Sequence, residues 1–320
     1  LNSLVTPVTG SPVIDNPIPV ESDFELATRE AVRPGRLSAY LQLAKPRIAL
    51  MVLMAASVGY VVACQGVWNP WPLLHACVGI LLAVIASSSL NQFIERKTDA
   101  RMERTRSRPL PALRLSATEV LLFALGCMVG STAYLYWLVN PLTAVLTLTT
   151  TVLYAFCYTP LKRYTSLCTV IGAVPGALPP VLGWAAAGAP LDMGAFSLFA
   201  ILFVWQFPHF LAIAWIYRDQ YEQAGLHMLP AAGRPGVTGA IAAGYSMVLI
   251  PISLLPAQLG LAGDGYAVVA VALGLAYAWT SILFQRQESR KSARWVLWTS
   301  LLYLPMVYAT LTVDHLRLLN

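Results

Sequence analysis

The stretch Leu73-Leu-His-Ala-Cys-Val-Gly-Ile-Leu-Leu-Ala-Val-Ile-Ala-Ser-Ser-Ser-Leu-Asn91-Gln-Phe-Ile-Glu95-Arg-Lys-Thr-Asp99-Ala-Arg-Met-Glu103-Arg104-Thr-Arg-Ser-Arg108-Pro109-Leu-Pro111 passes from an apolar run to the densest charge in the chain. Its first half is long enough to cross ~30 Å of hydrocarbon as a helix. Its second half, from Asn91 to Pro111, packs six basic and three acidic residues. Asn91, Glu95 and Asp99 stand at i, i+4 and i+8, so on a helix they share one face within roughly an 80° arc. An amide and two carboxylates beside a row of arginines suit Mg²⁺, with a phosphate-rich anion bridging metal and guanidinium. At the mouth of a membrane bundle, that arrangement suggests departure of diphosphate from a lipid.

The rest of the chain supplies the bundle. Hydrophobic residues make up 57% of it and charged residues 11%, with a mean hydropathy of +0.63, which sets it apart from ordinary soluble domains. Apolar runs near residues 48–66, 73–92, 118–138, 142–158, 167–187, 195–216, 237–257, 266–285 and 295–314 predict nine spans, with eight and ten as the neighbouring counts. Lys and Arg then number five before the first span, seven after the second, two after the fourth, two after the sixth and four after the eighth. The alternate connections carry none and the C-terminus has only Arg317, so twenty of 21 basic residues fall on one side. The positive-inside rule makes that side cytoplasmic, N-terminus included. The net charge of +6 is thereby explained by topology and calls for no nucleic-acid partner. The expected fold is all-α: a polytopic membrane bundle of about nine transmembrane helices, its central cavity open toward the cytoplasmic side.

The N-terminal segment differs in kind. Four prolines before residue 20, five acidic residues and no apolar run read as a disordered cytoplasmic tail. We draw it as residues 1–40, with the transmembrane domain at 41–320. The sequence begins with Leu1, as expected of a literally translated alternative start codon in a bacterial gene, or of truncation. The five cysteines form no Cys-x-x-Cys pair, so neither a zinc site nor a disulfide framework is expected.

Two spans carry residues that an inert lipid-facing helix would not need. The fifth reads Gly172-Ala-Val-Pro175-Gly176-Ala-Leu-Pro179-Pro180-Val-Leu-Gly183-Trp184, which predicts a kinked helix packed closely against its neighbours. The sixth holds Trp205-Gln206-Phe207-Pro208-His209-Phe210, whose amide and imidazole need partners at membrane depth.

Together these strings resemble the UbiA-type intramembrane prenyltransferases, and within them the protohaem IX farnesyltransferase (haem O synthase) branch. The resemblance covers about residues 40–315. It rests on Lys45-Pro-Arg47, Asn91-x-x-x-Glu95-x-x-x-Asp99, Met102-Glu-Arg104-Thr-x-x-Arg108-Pro109-Leu, Tyr158-Thr-Pro-Leu-Lys162-Arg163 and Trp205-Gln-Phe-Pro-His209-Phe. The chain departs from the pattern in three places. Gln92 and Glu95 stand where Asp is common. The second acidic motif reads Arg218-Asp219-Gln220-Tyr221 where Arg-Glu-Asp-Tyr is usual. Cys168 replaces an Asn.

The resemblance implies transfer of the farnesyl group of farnesyl diphosphate to a vinyl group of haem B, giving haem O, with Mg²⁺ as cofactor and haem B as substrate. It implies Glu95, Asp99 and Asn91 as metal ligands, with Asp219 as the second-loop candidate. Arg104, Arg108, Lys162 and Arg163 become the diphosphate clamp, with Lys45 and Arg47 as contributors. His209, Trp205 and Gln206 become haem contacts, with a hydrogen-bonded core histidine as the structural alternative for His209. Trp205, Phe207, Phe210 and Tyr154 are expected as cavity walls. The implied location is a bacterial cytoplasmic (inner) membrane, with membrane lipid, haem A synthase and the terminal oxidase as partners by pathway. Two other readings fit the same bundle: a sister prenyltransferase acting on a quinone-precursor aromatic acid or chlorophyllide, and a small-molecule transporter. Clustering of the polar groups on one side disfavours the transporter, and the Trp-Gln-x-Pro-His string disfavours the sister enzyme.

Overall fold

The computed structural model describes residues 35–64, 69–226, 228–229, 234 and 236–319. Among these, nine helices are long and apolar enough to cross a membrane. They are α2 (Pro46–Ala63), α3 (Pro70–Asp99), α4 (Ala117–Leu138), α5 (Pro141–Leu161), the split span made of α6 (Cys168–Ala177) and α7 (Pro179–Ala186), α8 (Met193–Ile216), α10 (Val237–Gln258), α11 (Asp264–Arg286) and α12 (Arg290–Leu319). Each expected span is present. Two shorter helices, α1 (Arg36–Ala44) and α9 (Arg218–Gln223), lie outside the spans. Among the described residues all the elements are helices, the arrangement that satisfies every backbone group within its own segment in lipid.

Most of the tail expectation falls on residues 1–34, which lie outside the described residues. The part that can be compared is corrected: the chain is helical from Arg36, before the boundary drawn at residue 40. The reason is tertiary. Ala39 and Leu43 are fully buried in a cluster with Leu110, Leu115 and Val120, so a nine-residue helix too short to persist alone is held by packing.

Contacts between helices run α2–α3–α4–α5–α6–α8–α10–α11–α12, and α12 returns to α2, closing the circuit. The largest core cluster joins α8, α10, α11 and α12 through buried Tyr266, Tyr277, Tyr303 and Tyr308. The split span behaves as its composition predicts. Pro179 and Pro180 follow the break at Leu178, and every residue of α7 is buried. A Cβ on Gly183 would fall 1.7 Å from the Ala56 carbonyl oxygen, and one on Gly59 1.9 Å from that of Pro180. Only glycine lets α2 and α7 meet backbone to backbone.

Helix α3 has 30 residues, about 45 Å at 1.5 Å per residue. That exceeds the hydrocarbon thickness, so one end must project. The end that carries Asn91 to Asp99 continues into the basic connection, and this brings the polar face to the rim of the bundle.

Candidate active site

Helix α3 starts at an Asn69 cap, whose side chain accepts from the Trp71 amide at 3.0 Å. Its last three turns stay regular despite their charge because each polar group on one face has a partner. Asn91, Glu95 and Asp99 are 2%, 7% and 3% exposed. The Asn91 amide donates to Glu95 Oε2 at 3.0 Å and to Thr159 Oγ1 at 3.1 Å, and its Oδ1 accepts from Lys45 Nζ at 3.3 Å. Glu95 Oε1 accepts from Lys162 Nζ at 2.9 Å, and Asp99 Oδ2 from Arg108 at 2.7 Å. The three residues expected to share a face therefore do, and they line a cavity of about 510 Å³ together with Lys45, Arg104, Arg108 and Lys162.

The four cations arrive from three places. Lys45 sits between α1 and α2 in the left-handed region, φ 47°, a conformation that bends the chain and costs an L-residue about 1 kcal/mol. Burial, then the nearby Arg108 and Lys162, push Lys45 down to about 7 against the pull of Glu95 and Asp99. Lys162 ends α5, just past a wide turn at Leu153–Tyr158, the kind of bulge that re-aims side chains at functional sites. Its ammonium lies 4.4 Å from the centre of the Tyr158 ring. Burial works against its charge, but Tyr158 and Glu95 outweigh that and hold it above the ordinary lysine value. Arg108 and Arg104 come from the loop after α3.

Arg104 also ties that loop to the next one. Its backbone N–H donates to Gln220 Oε1 at 3.4 Å, its guanidinium donates to the Tyr221 hydroxyl at 3.0 Å, and its Cζ lies 4.7 Å from the Tyr217 ring centre. The opposite wall is apolar, made by Tyr154, Tyr158, Phe210, Ile213 and Ala214.

Several expected residues are placed elsewhere. Asp219 does not line the cavity. It is half exposed and paired with Arg290 at the start of α12, at 2.7 Å, and with Arg218 at 3.4 Å. The α9 turn thus points its acid at Arg290 on the last helix and not into the cavity. Arg47 is exposed outside the cavity. Arg163 donates along α3 to the Ile94 carbonyl and Thr98 Oγ1, both at 3.3 Å. Neither lines the cavity.

The three expected haem contacts are likewise occupied within the protein. Trp205 Nε1 donates to the Ser300 carbonyl at 3.0 Å, and the Gln206 amide donates to the Ala173 carbonyl at 2.9 Å. His209 Nδ1 lies 2.7 Å from Ser300 Oγ and its ring stacks on Trp205. None of the three lines the cavity, and Ser300 is the hydrogen-bond partner that the structure gives His209. Of the expected walls, Tyr154 and Phe210 are in place, whereas Phe207 stacks on Tyr245 instead.

Sequence reasoning gave no role to Tyr158, Thr159 or Gln92. The first two sit in the quoted Tyr-Thr-Pro-Leu-Lys-Arg string, and only the bulge turns them inward. Gln92 donates to the Leu43 carbonyl at 3.3 Å and fastens the end of α1.

Among the described residues no three His, Cys, Asp or Glu side chains converge, so the candidate donors are two carboxylates and one amide. That set still fits Mg²⁺, a hard cation commonly held by one or two carboxylates with water and substrate phosphates completing its shell.

The sequence matches the UbiA prenyltransferase family over residues 52–302. Curated relatives named protoheme IX farnesyltransferase include one from Koribacter versatilis, 41% identical over 297 residues, covering 88% of this chain and 96% of that protein. Another from Myxococcus xanthus is 40% identical over 288 residues, with 88% and 96% covered. The fold is similar to that of a UbiA homolog from Archaeoglobus fulgidus bound to GPP and Mg²⁺, with a TM-score of 0.68 at 16% identity, covering 88% of this chain and 99% of that one. A structure described as digeranylgeranylglyceryl phosphate synthase in membranes gives 0.75 at 14% identity, with the same coverage. By sequence and by fold, this multi-pass membrane chain belongs to the UbiA prenyltransferase family.

Proposed function

We propose that this chain is a haem O synthase that joins the farnesyl group of farnesyl diphosphate to a vinyl group of haem B. The observation that carries the reading is the cavity in which Glu95 and Asp99 face Lys45, Arg108 and Lys162 above an aromatic floor. The names of relatives at about 40% identity support the acceptor.

In the proposed reaction the C1–O bond of the prenyl diphosphate breaks and diphosphate leaves. C1 bonds to the vinyl carbon, and water supplies a hydroxyl to the resulting cation with loss of a proton. Glu95 and Asp99, with the Asn91 amide oxygen, would hold Mg²⁺, which when bound draws charge from the leaving diphosphate. Lys45 would turn from the Asn91 amide oxygen, and Lys162 and Arg108 from their carboxylate partners, to the phosphate oxygens. The charges of Lys162 and Arg108 are in place before the reaction, so little reorganisation is left for the transition state. Asn91 positions Glu95 through its 3.0 Å hydrogen bond. Tyr154, Tyr158 and Phe210 shield the allylic cation from water and offer it π-faces. We place the cavity mouth and the N-terminus on the cytoplasmic side of a bacterial inner membrane, because the basic connections cluster there.

The test is an acceptor panel. Purified protein with farnesyl diphosphate and Mg²⁺ is given haem B, a hydroxybenzoate or chlorophyllide, and products are read by mass spectrometry. Farnesylation of haem B alone is expected. A prenylated hydroxybenzoate or chlorophyllide with unchanged haem would assign the chain to a sister activity.

A further inference from the structure

Helix α1 and the loop beneath it carry an apolar surface that the reaction does not use. At ~100° per residue the nine residues of α1 divide into three sectors. Ala39, Tyr40 and Leu43 face the bundle, packed with Leu110 and Leu115. Ser38 and Gln42 form a polar sector. Between them lie Leu37 and Leu41, one turn apart and 75% and 56% exposed. A helix bathed in water on its outer side needs two sectors, apolar and polar. A third sector of exposed leucines is what a helix shows when it lies in a membrane interface, with one edge on protein, one in acyl chains and one in water.

Leu113 repeats the message independently. It closes the turn at Pro109–Ala112, where the amides of Leu113 and Arg114 return to the Leu110 and Pro109 carbonyls at 3.1 and 2.9 Å. That is a position glycine usually takes, and Leu113 has φ 54° there. A leucine strained into the left-handed region and 91% exposed gains nothing from the protein that holds it. The side chain of Arg114, its neighbour, donates to the Gln42 side chain, so this loop and α1 are held as one surface. On the first turns of α2, Leu50 is likewise 69% exposed and lies outside the cavity lining. Exposed Arg47 lies just past the end of α1, where anionic headgroups would meet it, while Arg36 at the start of α1 is paired with Glu119.

We infer that α1 and the Leu113 turn form an interfacial anchor that inserts Leu37, Leu41 and Leu113 into the leaflet on the basic side of the bundle. The anchor ends at Lys45, so seating α1 in the interface also fixes the bend that delivers Lys45 to Asn91.

The full chain in vesicles of phosphatidylethanolamine and phosphatidylglycerol tests this, with a benzophenone amino acid placed in turn at positions 41, 113 and 289. Ser289 is exposed at the same end of the bundle, between α11 and α12, and serves as the aqueous reference. Irradiation and intact-protein mass spectrometry are expected to give several-fold more phospholipid adduct at 41 and 113 than at 289. Adduct at the reference level would overturn the anchor, as would crosslinks at 41 and 113 to a second copy or to another part of the chain. All three positions are exposed, and the substitution at 289 gives up that side chain's hydrogen bonds with Ser292. A size-exclusion profile matching the parent chain verifies before irradiation that the fold is kept.

Discussion

At the scale of single residues, the decisive feature is that every cavity carboxylate already has a cation. Glu95 holds Lys162 at 2.9 Å and Asp99 holds Arg108 at 2.7 Å, so metal and diphosphate would enter by exchanging partners within a balanced cluster. Replacing either acid by its amide leaves the size unchanged and removes one charge. Glu95→Gln and Asp99→Asn should each lower kcat by about 10²-fold or more, the scale of a lost electrostatic contributor, with the amount of membrane-inserted protein unchanged. Prenyl transfer rates and quantitative blots check both. Asp219 is the contrast. Its partner is Arg290 on an exposed surface, and such pairs are worth about 0–1 kcal/mol, so Asp219→Asn should leave kcat near that of the parent. Gln220→Ala, which removes the Arg104 backbone contact while Tyr221 and Tyr217 still hold its guanidinium, should raise KM for the prenyl diphosphate only modestly. Steady-state kinetics of both variants decide the matter, and a large kcat loss in Asp219→Asn would return that acid to the site. The difference in legibility has a physical root. Asn91, Glu95 and Asp99 lie on one helix, where spacing alone dictates a shared face. The direction of Asp219 depends on a partner 71 residues away, which no local pattern encodes.

At the scale of elements, proline and glycine composition foretold the split span, and the structure adds what it achieves. The break between α6 and α7 lets Gln206 reach the Ala173 carbonyl, and Gly176 leaves room for that amide, since a Cβ there would meet Gln206 Oε1 at 2.2 Å. Backbone contact between α2 and α7 makes a sharp prediction. Gly183→Val should cost about 3 kcal/mol or more by overpacking, seen as loss of monodisperse protein or a large fall in Tm. Gly126→Val, with no neighbour within 4 Å, should change Tm little. His209 belongs to the same scale. The sequence showed that a buried imidazole needs a partner but not which, because Ser300 lies on a helix 91 residues later. His209→Ala should lower stability by roughly 1–3 kcal/mol while leaving the absorption spectrum of bound haem unaltered. A changed spectrum would make His209 a haem contact after all.

At the scale of the whole molecule, hydropathy and the placement of Lys and Arg sufficed for nine spans, because lipid permits few backbone solutions. The circuit of helices and the cavity within it required the long-range packing that a span count does not contain. Helix α1 was hidden for the same reason, its stability coming from Leu110, Leu115 and Val120. The central claim is that haem is farnesylated at the Glu95–Asp99 end of this cavity. Membranes containing either the parent chain or a Glu95→Gln/Asp99→Asn double variant are supplied with haem B and farnesyl diphosphate, with Mg²⁺ or with a chelator, and the extracted haem is weighed by mass spectrometry. The account predicts haem O from the parent chain with Mg²⁺, and unmodified haem B from the chelated sample and from the double variant. Haem O formed by the double variant at the parental rate would contradict it.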